Sequence, residues 1–354
     1  MIKKDRERKG ISQKEIARIL NVSTATVSLA LRNSEKVNEK TRVKVKETAE
    51  LLNYRPCEIA RSLILNKTWS IGLIIPCFSI IYYSELTDAI QKRFREQNYL
   101  IITLSADTPE KRKEAITVLL NRKVEGFILP KINPDELYWL KKEKAPFVLY
   151  DRPEDSDYTD YNFVCVDKFK GAYKATEHLI KTGYKKIGFL CEIRVDEPRK
   201  RGYIEALIDY GMKIEKEWII PGAGYYKDGY NGAKEILKMK KRPEALVCLN
   251  DISAIGAIRA FQEENIKVPG DIAIIGFDNV KEGIYSLPLL TTVDQMVEKV
   301  ADEITNLLIE TIENNKKEKR QIIIEPELVI RESCGCEIKE KEGVTGKNNG
   351  GDEE

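Results

Sequence analysis

The sequence predicts a chain in two folded parts: an N-terminal all-α helix-turn-helix domain and an α/β core of two doubly wound lobes. Three observations predict it. At 354 residues the chain exceeds what one ordinary hydrophobic core organises. Charge is shared unevenly: residues 1–67 hold 16 Lys and Arg against 8 Asp and Glu, a net of +8, and the remainder holds 43 against 49, a net of −6. From Trp69 onward, short apolar runs alternate with amphipathic helical stretches, the pattern of βαβ units and parallel sheets.

The first part reads as three helices. Ser12 caps a helix to Leu20 with Glu15 three residues on, a capping box, and Ile16, Ala17, Ile19 and Leu20 give it an apolar face. Asn21-Val22 makes a turn, and Ser23 caps a second helix from Thr24 to about Leu31, with Val27 and Leu31 facing inward. Asn38 caps a third, with Val45, Ala49 and Leu52 at i, i+4 and i+7. Two short helices across a tight turn, clamped by a third, are the geometry that sets one helix in the major groove of DNA. The basic charge of this part agrees with a polyanion partner, although a solvated lysine-rich surface accounts for charge alone equally well.

The residues narrow the reading. Gln13-Lys14-Glu15-Ile16-Ala17, Asn21-Val22-Ser23-Thr24-Ala25-Thr26-Val27-Ser28, Asn38-Glu39-Lys40-Thr41-Arg42 and Asn53-Tyr54-Arg55-Pro56 follow in an order and spacing that resembles the lactose/galactose repressor family. The resemblance runs from about Ile11 to Ser333. It implies a regulator that reads a palindromic operator as a homodimer formed through the core, and that responds to a small molecule. By the same resemblance, base reading falls on Thr24, Ala25 and Leu29. Where many members carry an arginine that grips guanine, Leu29 offers only apolar contact, for instance to a thymine methyl. Ser23, Thr26, Ser28 and Arg32 then contact phosphates and set register.

Residues 55–68 match the family hinge and linker. Pro56 suits a first helical turn, and Ile59, Ala60 and Leu63 share one face of a helix too short to persist alone. The family implies that this helix orders when two copies pair on DNA, with Leu63 wedging into the minor groove. Ordinary linker packing is the alternative for Leu63.

In the core, strands are expected at Ser70–Ile75, Leu100–Leu104, Gly126–Leu129, Phe147–Tyr150, Phe163–Val166, Lys186–Leu190, Ala245–Leu249 and Ile272–Phe277. Helices are expected at Tyr83–Gln97, Lys111–Arg122, Lys170–Thr182, Lys200–Tyr210, Gly229–Lys238 and Ser253–Glu264. The resemblance implies periplasmic-binding-protein-like lobes within residues 69–333, crossed near Cys165–Asp167, Leu290–Asp294 and Glu325–Glu327. It also places effector contacts at Tyr82 and Tyr83, where aromatics stack on the ligand, and at Asp151, Arg199, Asn250 and Asp278. Capping and loop salt bridges are the alternatives for each, for Asp151 and Asp251 in particular. The pattern departs from the family in the C-lobe, where Gly224 stands in place of an aromatic wall. Either Tyr225 or Tyr226 takes over the wall, or the pocket is more open. Carboxylates, an arginine and aromatic faces suit a neutral sugar; a phosphosugar would want more cations, and a purine is the open alternative.

Other functions fit less well. The one histidine, His178, has no nucleophile motif beside it, and neither a phosphate loop nor a dinucleotide fingerprint occurs, so neither enzyme activity nor a cofactor is expected. The seven cysteines are scattered, which suits a reducing cytoplasm. Cys334-Gly335-Cys336 has metal-like spacing but no second ligand pair, and it is assigned with residues 334–354 to a disordered tail, so no metal is expected. The longest apolar stretch, Ile71 to Ile81, is too short to span a bilayer and carries Pro76, and no apolar segment follows the N-terminal charges, so neither membrane nor export is expected. A freestanding solute-binding protein would leave residues 1–67 without a role. Control by a protein partner on the core surface stays an alternative to a sugar.

Overall fold

The computed structural model describes residues 11–54, 67–130, 132–151, 161–191, 197–221, 224–314 and 319–336. It divides into two compact units at Thr68 and Trp69. The first unit holds α1 (Gln13–Leu20), α2 (Thr24–Leu31) and α3 (Glu39–Leu51). The capping box of α1 is complete: Ser12 N donates to Glu15 Oε2 at 2.7 Å and Glu15 N to Ser12 Oγ at 3.4 Å. Asn21, in the left-handed region at φ +52°, ends α1 and turns the chain into α2. Ile16, Ala17, Val27, Ala30, Val37, Val45 and Ala49 close a small core.

The second unit carries two six-stranded sheets. In the first, the strands are β1 (Ser70–Ile75), β2 (Leu100–Ser105), β3 (Gly126–Leu129), β4 (Phe147–Leu149), β5 (Phe163–Val166) and β11 (Gln321–Ile324), in the spatial order β11-β5-β4-β3-β1-β2. In the second they are β6 (Ile187–Cys191), β7 (Ile219–Pro221), β8 (Ala245–Cys248), β9 (Ala273–Asp278), β10 (Thr291–Asp294) and β12 (Glu327–Val329), ordered β12-β10-β9-β8-β6-β7. All pairs are parallel except β10 with β12. Parallel strands are covered on both faces, which is why β1, β8 and β9 are buried along their whole lengths.

The covering helices are α4 (Ile81–Glu96), α5 (Pro109–Asn121), α6 (Pro134–Lys142) and α11 (Val297–Asn314) in the N-lobe. In the C-lobe they are α7 (Lys168–Lys181), α8 (Pro198–Asp209), α9 (Tyr226–Lys238) and α10 (Asp251–Glu263). Each lobe therefore has an apolar cluster on either face of its sheet, such as Ile71, Leu86, Phe94 and Leu308 on one side of the first sheet and Phe127, Leu119 and Phe163 on the other.

Several expectations are adjusted. Helices α6 and α11 and strands β7, β10, β11 and β12 were not among the expected elements; β7 and β12 are three-residue strands at the two edges of their sheet, each paired on one side only. The chain crosses between lobes at Asp167, at Gln295-Met296 and at Glu325-Pro326, so the second crossing lies just after the expected Leu290–Asp294, whose last four residues form β10 instead. The third crossing is clamped by exposed ion pairs of Glu325 with Lys174 at 2.6 Å and Lys170 at 2.9 Å. Cys334 to Cys336 are not tail: Cys334 is fully buried in the C-lobe core. Among the described residues, no helix is long and apolar enough to cross a membrane.

Candidate functional site

Two sets of residues were expected to carry function. The first lies along α2 and its cap. Ser23 Oγ accepts from Thr26 N at 3.0 Å and pairs with Thr26 Oγ1 at 2.8 Å, so both hydroxyls serve the helix start. Thr24 and Ala25, in the first turn, are exposed. Leu29 is half-buried and packs against the core of the unit, so only part of its side chain faces outward. Arg32 folds back on its own helix, donating to Ser28 O at 3.1 Å and Ser28 Oγ at 3.2 Å. The α2 surface thus presents small side chains at its first turn and a guanidinium at its end. Ile59, Ala60 and Leu63 lie outside the described residues.

The second set converges between the lobes of the core. The start of α4 brings Tyr82 and Tyr83, with rings edge-on at 5.4 Å, and Tyr83 meets Tyr150 at 6.3 Å. Tyr82 is buried in the N-lobe core, while Tyr83 is half-buried at its edge and is the better-placed aromatic face. Asp151, just beyond β4, pairs with Lys168 Nζ at 3.0 Å, a lysine at the start of α7. From the C-lobe, Arg199 stacks over Phe277 at 5.1 Å, with Nε on Glu197 at 2.7 Å and Nη1 on the Leu249 carbonyl at 2.9 Å. Asp278 ends β9 and accepts from Gln295 Nε2 at 2.5 Å, on the second crossing.

Charge couples these groups. Burial pushes the Tyr82 hydroxyl well above its ordinary range, and Tyr83, Asp278 and Asp151 add to it. Burial also raises Tyr83, which feels Lys168, Asp151, Arg199 and Asp278 from both lobes. Burial pushes Asp278 up to about 7, although Arg199, Gln295 and Lys168 pull it down. Burial acts to lower Lys168, but Asp151 outweighs this and the ammonium is held charged. Asn250 differs from the rest. It is the cap of α10, its Oδ1 accepting from Ser253 N at 2.9 Å and its Nδ2 donating to Gly224 O at 3.2 Å, so both ends of its amide already serve the fold. Asp251 is structural: its carboxylate accepts from Thr292 Oγ1 and Val280 N and fixes the turn after Asp278.

The two parts of the chain match known protein families. Residues 12–57 match the family described as bacterial regulatory proteins, lacI family, and residues 176–334 match the periplasmic binding protein-like domain. The chain is 33% identical over 327 residues to the HTH-type transcriptional repressor PurR of Mannheimia succiniciproducens, covering 90% of this chain and 97% of that one. The PurR repressor of Pasteurella multocida is 34% identical over the same coverage. The chain belongs to the LacI family. As such it is a DNA-binding transcription regulator with a ligand-binding effector core. Among solved structures, the Lac repressor dimer bound to operator and the anti-inducer ONPF superposes with a TM-score of 0.81 at 23% identity, over 92% of this chain and 99% of that one. A LacI-family regulator from Enterococcus faecium with bound ribose gives 0.68 at 27% identity, over 75% of this chain and 98% of that one.

The cleft of this LacI-family chain holds residues that the sequence did not announce. Lys168, Tyr150 and Gln295 each face a named site residue from another segment, and Glu197 faces Arg199 from two residues away. Lys168 carries the one available signal, a lysine in the turn after Val166-Asp167, where the chain enters the second lobe. Nothing local marks Gln295, whose Oε1 is buried without a hydrogen-bond partner among the described residues.

Proposed function

We propose that the chain is a homodimeric repressor of sugar-utilisation genes that reads a palindromic operator and senses a neutral sugar between its lobes. Thr24, Ala25 and Leu29 read base edges; Ser23, Thr26, Ser28 and Arg32 set the helix on phosphates; Ile59, Ala60 and Leu63 form the paired hinge. Tyr83 offers the sugar an apolar face, and Tyr82 forms the floor beneath it. Asp151, Arg199 and Asp278 take its hydroxyls, with Asn250 beside them.

One observation carries the choice of a neutral ligand. Among the described residues, each cation of the cleft already faces its own carboxylate, Lys168 with Asp151 and Arg199 with Glu197. Among the described residues no surplus positive charge is left for a phosphate, whereas paired charges beside an aromatic face suit hydroxyls above and C–H groups against the ring. The bound ribose of the Enterococcus faecium regulator supports a sugar in such a core. The operator-bound Lac repressor dimer supports the symmetric reading of DNA.

The test is selection of bound duplexes from a random pool, followed by fluorescence-anisotropy titration of the selected DNA at two salt concentrations with a panel of sugars. A palindromic consensus, steep salt dependence and an affinity changed by one neutral sugar are expected. Absence of sequence preference overturns the operator reading, and a response only to a phosphosugar or a purine overturns the neutral-sugar reading.

A further inference from the structure

The end of the described chain folds back onto the C-lobe. Cys334 is buried among Ala175, Leu179 and Tyr184, and the Tyr184 hydroxyl donates to its carbonyl at 3.1 Å. Gly335, in the left-handed region at φ +69°, reverses the backbone so that Cys336 returns towards Cys334. The two Sγ atoms stand 3.5 Å apart, with the Cys334 thiol donating to Cys336. A third group meets them from a distant segment. His178, in the last turn of α7, presents its ring so that one of its nitrogens and both Sγ atoms all lie within 4.8 Å of one another. Its Nε2 is buried and has no hydrogen-bond partner among the described residues. A buried donor or acceptor left unsatisfied asks for an explanation.

We propose that His178, Cys334 and Cys336 form a three-ligand site for a thiophilic metal ion of the zinc(II) class. Two thiolates and an imidazole are the donor set such ions select, and carboxylates, which would favour magnesium or calcium, are absent from the cluster. The spacing also fits. Two Zn–S bonds of about 2.3 Å at the tetrahedral angle set their sulfurs about 3.8 Å apart. The observed 3.5 Å is near that value, and far from the roughly 2.05 Å of a disulfide. Small side-chain rotations close the remaining ligand edges, with water completing the tetrahedron. The Cys-Gly-Cys spacing therefore lacks a second pair in sequence but gains its third ligand from α7 in space. A bound ion ties residues 334–336 to the first helix of the C-lobe and raises the stability of that lobe with metal concentration.

The experiment uses the full reduced chain after chelator treatment. Cobalt(II) is titrated first as a spectroscopic probe, then displaced by zinc(II), and zinc affinity is read by competition with a chromophoric chelator. One equivalent per chain, a thiolate-to-cobalt charge-transfer band and a zinc-dependent rise in melting temperature are expected. Cys336→Ser and His178→Gln should each abolish the band and the rise, while Cys77→Ser, in the N-lobe, keeps both. Circular dichroism of each variant checks that the fold is intact. Failure of the wild-type chain to bind a stoichiometric ion overturns the proposal. So does binding that survives both ligand substitutions, and so does a pair that ignores metal but closes to a disulfide under mild oxidation.

Discussion

Asp278 carries an electrostatic conflict in the cleft. Its backbone lies in the left-handed region at φ +115°, its carboxyl is buried, and burial lifts it to about 7 against the pull of Arg199, Gln295 and Lys168. The sign of the consequence is fixed: between its unfolded value and about 7 the native state binds the extra proton, so this residue lowers stability as pH rises through that window. Asp278→Asn should flatten the slope and stabilise the core above pH 7, by about 4 kcal/mol at most, read by denaturant titration from pH 5 to 8. The same residue should make sugar affinity fall as pH drops below about 7, because the protonated form is the weaker acceptor; calorimetry with the Asn variant should lose that dependence. Unchanged profiles in the variant would remove Asp278 from this role. Asp151, Arg199 and Asp278 were legible because each sits at the end of a strand or the start of a helix in a recognisable pattern. Their partners were not. Lys168 reaches Asp151 across 17 residues and Gln295 reaches Asp278 across 17, and no local pattern encodes which strand end a crossing segment will meet.

Among the elements, helix pairs meet through glycine. A Cβ at Gly229 would lie 1.9 Å from the Ser253 carbonyl, and one at Gly256 would lie 2.0 Å from the Tyr226 carbonyl, so α9 and α10 approach backbone to backbone. Gly202 stands in the same relation to Phe169 at 2.1 Å, holding α8 against α7. Gly256→Ala should therefore destabilise the C-lobe by roughly 1–3 kcal/mol or more, although alanine is the better helix former; thermal unfolding of the two chains decides it. A stabilising effect would mean the helices separate without cost. The main strands and six core helices were readable because continuous apolar runs and 3.6-residue recurrence are local signals. The short edge strands β7 and β12 were not, since three residues owe their conformation to the neighbour they pair with. Helix α11 is a different case: Val300, Ile304, Leu307 and Leu308 repeat at helical spacing and are buried, a signal present but not separated from the lobe crossing beside it.

At the scale of the whole molecule, the proposal assigns DNA reading and effector sensing to different units, with residues 55–68 between them. Leu63→Ala should weaken specific DNA binding while leaving sugar affinity intact, and Arg199→Ala should do the reverse; equal loss of both activities in either variant would contradict the division. Three crossings join the lobes, and the second runs through Gln295 beside Asp278, so a ligand held from both lobes bears directly on how they are joined. A ligand shifts such an equilibrium only by its difference in affinity for the two arrangements. That coupling is reciprocal for binding free energies. The most direct measurement is calorimetric titration of the identified sugar into the chain, free and saturated with operator DNA, beside the operator affinity with and without the sugar. The account predicts that operator changes sugar affinity by the same factor as sugar changes operator affinity. A sugar affinity that saturating operator leaves untouched would contradict it.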